Sequence, residues 1–363
     1  MTTSPADEAP DADELRTLAR LVADGVAAID GDLVAIGDRW AIHGTIAYDG
    51  EVILAEFDSL EDARAVLTRT PRRDGPPRAI APTPTQPKGP TMSTPAPHPS
   101  EKPPVMFIHG LWLHSSSWFP WIEAFEEAGY EASAPGWPDE ADTVDAARAE
   151  PDAQAGHGID DVVEHYTKLV AALDRPPVLI CHSFGGTIVE RLLGDGVGAA
   201  GIAIDAAPIK GVLPVPISAL RSAFPVLKSP SNAHKTVSLT AEQFRFAFGN
   251  ALPADESDEL WQQWTIPAPG RPIFQSATAN FSPHSEAKVD THNDSRGPLL
   301  LIAGGKDHTV PETITESTLK QYKHTTATTE MIDFPDRGHS LVIDHGWREI
   351  ADACIAWLDG QAL

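Results

Sequence analysis

From Pro103 onward the chain alternates short, apolar, β-rich runs with stretches of helical periodicity, and that alternation restricts it to one kind of architecture. Runs at VMFIH (105–109), YEASA (130–134), VLICH (178–182), GIAID (201–205), PLLLIA (298–303) and TEMIDF (329–334) read as strands. Helical patterns fall between and after them at Trp118–Ala128, Ile159–Leu173, Gly185–Leu193, Pro311–Tyr322 and Gly346–Leu358. Parallel neighbours need a crossover connection, and strands apolar at nearly every position need cover on both faces. The pattern predicts an α/β fold whose mostly parallel sheet carries helices on both sides.

Proline sets the boundary ahead of this region. Twelve of the 33 prolines fall between Pro71 and Pro104, a composition that favours extended, unpacked backbone and predicts a linker over 71–102. Residues 1–70 read as a small α+β accessory module. Asp11 with Glu14 forms a capping box for a helix through Leu15, Leu18 and Leu21 to a stop at Gly25. The run RWAIHGTIAYDGEVILAEF then reads as a hairpin turning on Asp49-Gly50. Ser59 and Asp62 cap a second helix carrying Leu60, Ala63, Val66 and Leu67. Nothing in this module carries recognisable chemistry. The main domain is expected over 103–363, and Met92 stands where such a domain could begin unaided.

Charge excludes several functions. The chain has 27 basic and 52 acidic residues, a net charge of −25, which opposes a broad grip on nucleic-acid phosphates or anionic lipid. Neither nucleic acid nor membrane is an expected partner. Hydrophobic residues at 42% supply a core and exclude wholesale disorder. Two cysteines, Cys181 and Cys354, make no disulfide framework. No apolar run approaches the length of a membrane span, and MTTSPADEAPDADEL is acidic where a secretory signal is basic and then apolar. The expected location is cytoplasmic.

The strongest local signal is Cys181-His182-Ser183-Phe184-Gly185-Gly186, directly after the strand PPVLI and before the helical TIVERLLG. A serine at such a strand-to-helix turn exposes Oγ at an apex that only small neighbours permit. Its bland alternative is a helix N-cap. A serine hydroxyl needs a base within reach and a third group to orient that base. Asp307 in LLLIAGGKDHTVP lies just past a strand's carboxyl end, where open α/β sheets build their sites, and His339 in DRGHS follows the last strand. The order serine, acid, histidine matches one of the known triad orders. Asp205, after the strand IAID, competes for the acid's place, while Asp336 is too close to His339 in the same loop. Separately, Asp307 could be a turn or cap residue and His339 a surface histidine.

Through these segments, residues 103–363 resemble the α/β-hydrolases, with Cys181 standing where the serine motif usually has glycine. The resemblance implies Ser183 as nucleophile, His339 as general base and then acid, and Asp307 as the orienting acid. It also implies an oxyanion hole built from the backbone N–H of Leu111, in IHGLW, or of Trp112, together with that of Phe184. The excess of chain between about 207 and 297 implies a cap, holding Phe224, Phe244, Phe246, Phe248, Trp261, Trp264, Phe274 and Phe281. His109, His182 and His308 read as structural, and Cys181 lies off the apex of the turn. No HExxH, cysteine pair or GxGxxG after a strand is present, so neither metal nor cofactor is expected.

The expected activity is that of a serine hydrolase cleaving a carboxylic ester of a small hydrophobic substrate through an acyl-enzyme. Lactone hydrolysis, carbon–carbon bond hydrolysis and cofactor-free perhydrolysis use the same triad. A non-catalytic ligand-binding or interaction protein on this fold is the alternative of another class.

Overall fold

The computed structural model describes residues 27–36, 39–46, 50–57, 102–213, 216–361 and 363. The chain divides into two units, Met1–Thr94 and Pro95–Leu363. In the first, strands β1 (Ala27–Ile36), β2 (Arg39–Ile46) and β3 (Gly50–Phe57) form an antiparallel sheet in that order. The expected hairpin is β2–β3, but Ile46 pairs with Gly50, leaving three residues between the strands. Ladder register therefore sets the loop length, and Asp49-Gly50 is not the centre of a two-residue turn. Strand β1 corrects the helix–hairpin–helix reading. Its Asp30-Gly31-Asp32 interrupts the apolar run in sequence, and the ladder absorbs it as a register shift between Ile29 and Leu33. The helices expected at 11–25 and from Ser59, and the linker up to residue 101, lie outside the described residues.

The second unit is built on a six-stranded sheet of β4 (Val105–Ile108), β5 (Ala132–Ser133), β6 (Val178–His182), β7 (Ala200–Ile204), β10 (Leu299–Gly304) and β11 (Thr329–Phe334). Two short strands, β8 (Thr236–Val237) and β9 (Ala268–Pro269), pair separately between β7 and β10. The sheet order is β11-β10-β7-β6-β4-β5, and every ladder in it is parallel. Strands β4, β6, β7 and β10 are buried at every residue, as a sheet covered on both faces requires. All six strand runs and five helices expected from the sequence are present, with ends shifted by one to a few residues. YEASA shrinks most, to the two-residue edge strand β5.

Glycine fixes how closely the segments at the sheet's carboxyl edge approach. A Cβ on Gly185 would lie 2.5 Å from the Ile108 carbonyl oxygen, and one on Gly186 2.3 Å from Ala206 Cβ. A Cβ on Gly110 would lie 2.6 Å from Ser183 Cβ. The helix Phe184–Gly194 can therefore start directly against the ends of β4 and β7 only because these positions carry no side chain.

The loop after β4 is held from behind by a buried ion pair. His109 Nε2 lies 2.8 Å from Glu140 Oε2, with both side chains almost wholly out of water. Trp137 stacks on the His109 ring and donates its indole N–H to the His109 carbonyl at 3.0 Å. Ser115 N–H donates to Glu140 Oε1 at 3.0 Å, so one carboxylate ties both ends of the His109–Ser115 loop. Burial pushes the Glu140 pKa up, but His109, His114 and the Ser115 amide outweigh it and bring it down to about 2. Burial likewise opposes charge on His109, and the facing carboxylate wins, raising its pKa.

Two expectations follow from this packing. Gly185→Ala should lower unfolding free energy by about 1–3 kcal/mol, because the new methyl meets main chain and not a movable side chain; urea denaturation measures it. The His109–Glu140 pair should stabilise the fold fully between the ordinary glutamate and histidine values of 4.5 and 6.5. Its contribution fades as pH falls from 4.5 toward about 2, where the folded-state carboxylate protonates, and as pH rises through the raised histidine value. Thermal melts of the parent chain and of Glu140→Gln across pH should converge at both extremes and differ most within that window.

Candidate active site

Ser183 occupies the turn between β6 and the helix Phe184–Gly194, with φ 55° and ψ −123°. A positive φ costs a non-glycine residue on the order of 1–3 kcal/mol, so the surroundings must hold it. They do so through the main chain. Ser183 N–H donates to the Ile204 carbonyl at 2.9 Å, and its own carbonyl accepts from Gly186 at 2.8 Å and Ala207 at 3.0 Å. The bland reading of this serine fails on geometry, since its side chain makes no capping hydrogen bond. Cys181, two residues earlier, buries its thiol between strands against the Ile202 carbonyl at 3.2 Å. Burial raises its pKa well above the ordinary value, leaving an unreactive thiol.

The three residues singled out from sequence meet here. Ser183 Oγ lies 3.0 Å from His339 Nε2, and His339 Nδ1 lies 2.6 Å from Asp307 Oδ2. All three side chains are buried. Asp307 Oδ1 accepts from the backbone of Thr309 at 2.6 Å and Val310 at 2.9 Å, which fixes the carboxylate with Oδ2 turned to the imidazole. The imidazole ring is clamped by neighbouring aromatics. Phe248 meets it edge-on at 4.7 Å, and the His182 ring lies 4.5 Å away. His182 Nε2 donates to the His339 carbonyl at 2.9 Å. Burial and the His339 ring hold the His182 pKa well below its ordinary value, so it is a neutral brace.

Asp205 is close but differently placed. Its Oδ2 lies 3.9 Å from His339 Nδ1, against 2.6 Å for Asp307, and its Oδ1 accepts from Gly304 N–H at 2.7 Å. Burial, and next the charge of Asp307, push its carboxyl well above the ordinary range, so it is a neutral acid beside a charged one. Asp336 sits outside the site and pairs with Lys306 at 2.7 Å on the surface. His308 turns away and contacts the Phe246 carbonyl at 3.1 Å. His182, Asp205 and His339 stand close enough to be considered as metal ligands. Both His339 nitrogens are already engaged, by Ser183 and Asp307, so a hydrogen-bonded chain accounts for the cluster and a cation does not.

The backbone donors expected at Leu111 and Phe184 flank the serine. Phe184 is the first residue of its helix, where the N–H has no intrahelical acceptor. Gly110 runs against Ser183, with Leu111 next in the chain and Trp112 following at φ 68°. Trp112 is then fixed from the segment between β7 and β10. Its indole N–H donates to the Val237 carbonyl at 2.9 Å, and its carbonyl accepts from Ile266 at 2.9 Å.

Sequence reasoning missed Glu140, Phe248 and the neutral state of Asp205. Glu140 lies in an irregular acidic loop with no periodicity to mark it, and Phe248 was one of eight aromatics in its segment. Only the tertiary contacts distinguish them.

Residues 105–353 match the profile of the alpha/beta hydrolase family. No curated protein matches the chain. Among solved structures, a monoacylglycerol lipase of Paleococcus ferrophilus is similar at 19% identity with a TM-score of 0.50, covering 70% of this chain and 93% of its own. A pyrethroid hydrolase of Sphingobium faniae JZ-2 is similar at 16% identity and 0.50, covering 72% and 98%. A methylesterase of Arabidopsis is similar at 14% identity and 0.50, covering 71% and 99%. At such identities these likenesses carry the fold, while the profile spans more than half of the sequence. The chain belongs to the alpha/beta hydrolase family.

Proposed function

We propose that this protein is a serine hydrolase that cleaves carboxylic esters of small hydrophobic substrates through an acyl-enzyme. The observation that carries the reading is the continuous chain from Ser183 Oγ through the His339 ring to Asp307, at 3.0 and 2.6 Å. A protein that only bound ligands would have no use for a strained serine aligned with a buried base and acid.

His339 Nδ1–H donates to Asp307, which leaves Nε2 to take the Ser183 proton as Oγ attacks the ester carbonyl. The Leu111 and Phe184 N–H groups would receive the negative charge developing on the carbonyl oxygen. His339 returns the proton to the departing alkoxide, and the acyl group remains on Ser183. Water deprotonated at Nε2 then attacks that ester and releases the acid. The neutral Asp205 leaves Asp307 as the single negative charge beside the imidazolium formed at each step.

The segment between β7 and β10 acts as the cap. Phe248 against the His339 ring and Val237 bonded to Trp112 support a position over the serine corner. An apolar acyl or alkyl group suits the surface of Phe248, Leu111 and Trp112, since binding sites are concave and mainly apolar.

A fluorophosphonate probe should label the parent chain at Ser183 and fail to label Ser183→Ala; labelling that survives the substitution overturns the nucleophile assignment. On p-nitrophenyl esters, Ser183→Ala should lower kcat by about 10⁴-fold or more. The two acids separate by the same assay. Asp307→Asn should cost about 10⁴-fold in kcat, as loss of the correct imidazole tautomer does, whereas Asp205→Asn, which replaces one neutral group by another, should stay within about tenfold. The reverse order would make Asp205 the orienting acid.

A further inference from the structure

The cap carries a surface that the reaction does not use. Seven large apolar side chains are exposed among the described residues, and five of them, Leu213, Ile217, Leu220, Phe224 and Phe281, lie in the cap with 49% to 88% of their surface in water. Ile217, Leu220 and Phe224 recur at helical spacing along the outer face of the helix Ile217–Leu227, whose Ser222, Pro225 and Val226 face inward and are buried. Asn280 joins Phe281 to this group: its side chain accepts from Gly211 N–H at 2.7 Å and donates to the Val212 carbonyl at 2.8 Å. A cluster of this kind on a soluble face marks a contact site.

Charge says what kind of partner it fits. Acidic residues make up 52 of 363, about one in seven, yet none occurs from Ala206 to Ala241. The same stretch holds Lys210, Arg221, Lys228 and Lys235. Arg221 and Lys228 extend the exposed helix face, Arg221 lying over the Phe246 ring at 3.8 Å. Among the described residues none of the four basic side chains forms an ion pair, and the next acid along the chain, Glu242, lines the cavity of about 380 Å³ beside Arg221. Lys210 reaches the Ser282 carbonyl at 2.6 Å, next to Phe281.

From this arrangement we infer that the outer face of the helix Ile217–Leu227, with Leu213 and Phe281, docks peripherally on an anionic lipid surface. Apolar side chains enter the headgroup boundary while Arg221 and Lys228 meet lipid phosphates, the division of labour of an interfacial amphipathic helix. A second copy of the chain fits less well, because a two-fold contact would set the basic residues against their own copies. The net charge of −25 does not prevent docking. Repulsion from the distant acidic surface is screened beyond roughly 8 Å at physiological salt, and what remains turns the helix face bearing Arg221 and Lys228 toward the lipid. This is contact at the surface and not a span: no described helix is long and apolar enough to cross a membrane.

The test is co-sedimentation of the full chain with vesicles of phosphatidylcholine alone and of phosphatidylcholine with phosphatidylglycerol. Binding should appear on the mixed vesicles and weaken with added salt. Ile217→Glu with Phe224→Glu, both at exposed positions, should abolish it, and Arg221→Gln with Lys228→Gln should weaken it roughly fivefold for each charge removed. Leu173→Glu, at an exposed leucine away from the cap, should bind as the parent does. Ser183→Ala should also bind normally, which separates this inference from the hydrolase reading. Absence of binding to the mixed vesicles, or binding indifferent to the cap substitutions, overturns it. So does a parent chain that light scattering finds dimeric and that Ile217→Glu with Phe224→Glu makes monomeric, for then a second copy covers the face.

Discussion

Ser183 holds a backbone conformation that its own chemistry disfavours, and the closeness of three chain segments around it is what makes that conformation hold. The ends of β4 and β7 press against the start of the helix Phe184–Gly194 so tightly that Gly110, Gly185 and Gly186 have no room for a methyl group. Hydrogen bonds from Ser183 to Ile204 and from Ala207 to Ser183 lock the turn to β7. The strain at φ 55° is offset by this packing, and what it achieves is direction. Oγ leaves the sheet's edge toward His339, while the first free N–H of the helix points into the same corner. Relaxing any of the three contacts would let the serine return to ordinary backbone geometry and lose its base.

Burial then does the electrostatic work. Serine, imidazole and carboxylate lie out of water, where an unpaired charge is costly and a paired one is strongly directed. Asp307 meets that cost with two backbone donors and the imidazole. Asp205, 3.9 Å from the same nitrogen, meets it by staying protonated. Two acids thus stand at one ring, Asp307 at 2.6 Å and Asp205 at 3.9 Å, and burial drives the farther one toward its neutral form. Behind the facing loop, His109 and Glu140 use a different solution, each favouring the charged form of the other across 2.8 Å, and so hold the loop that carries Gly110–Trp112.

What could be read from the sequence follows from the range of the interactions involved. Strand and helix identity in residues 103–363 depends on local periodicity, so VLICH and TEMIDF appear where their patterns place them. Ser183, Asp307 and His339 were visible because parallel topology sends the carboxyl end of every strand to one edge, and they lie one, three and five residues past the ends of β6, β10 and β11. Asp307 is favoured over Asp205 by its fuller local pattern, yet both sit at such an end, and at His339 a difference of about an ångström separates them. Glu140 had no local sign at all, since its importance comes from a partner 31 positions away in a different loop. Strand β1 was missed for the converse reason: Asp30-Gly31-Asp32 looks like a turn locally, and only pairing with β2 makes it a bulge.

The helix Ile217–Leu227 joins two demands. On the inner face Ser222 donates to the His308 carbonyl at 3.4 Å, one residue beyond the catalytic acid proposed above, so this helix helps to seat the acid's loop. On the outer face Ile217, Leu220 and Phe224 leave 85%, 49% and 61% of their surface in water. Helical periodicity keeps these sets apart, inner residues at 222, 225 and 226 alternating with outer ones at 217, 220, 221 and 224. A helix serving only the core would gain solubility from polar or acidic residues on its outer face, as the rest of this acidic chain does. Retaining apolar and basic residues there is unfavourable in water, and it is this cost that the inferred contact with a lipid surface would offset.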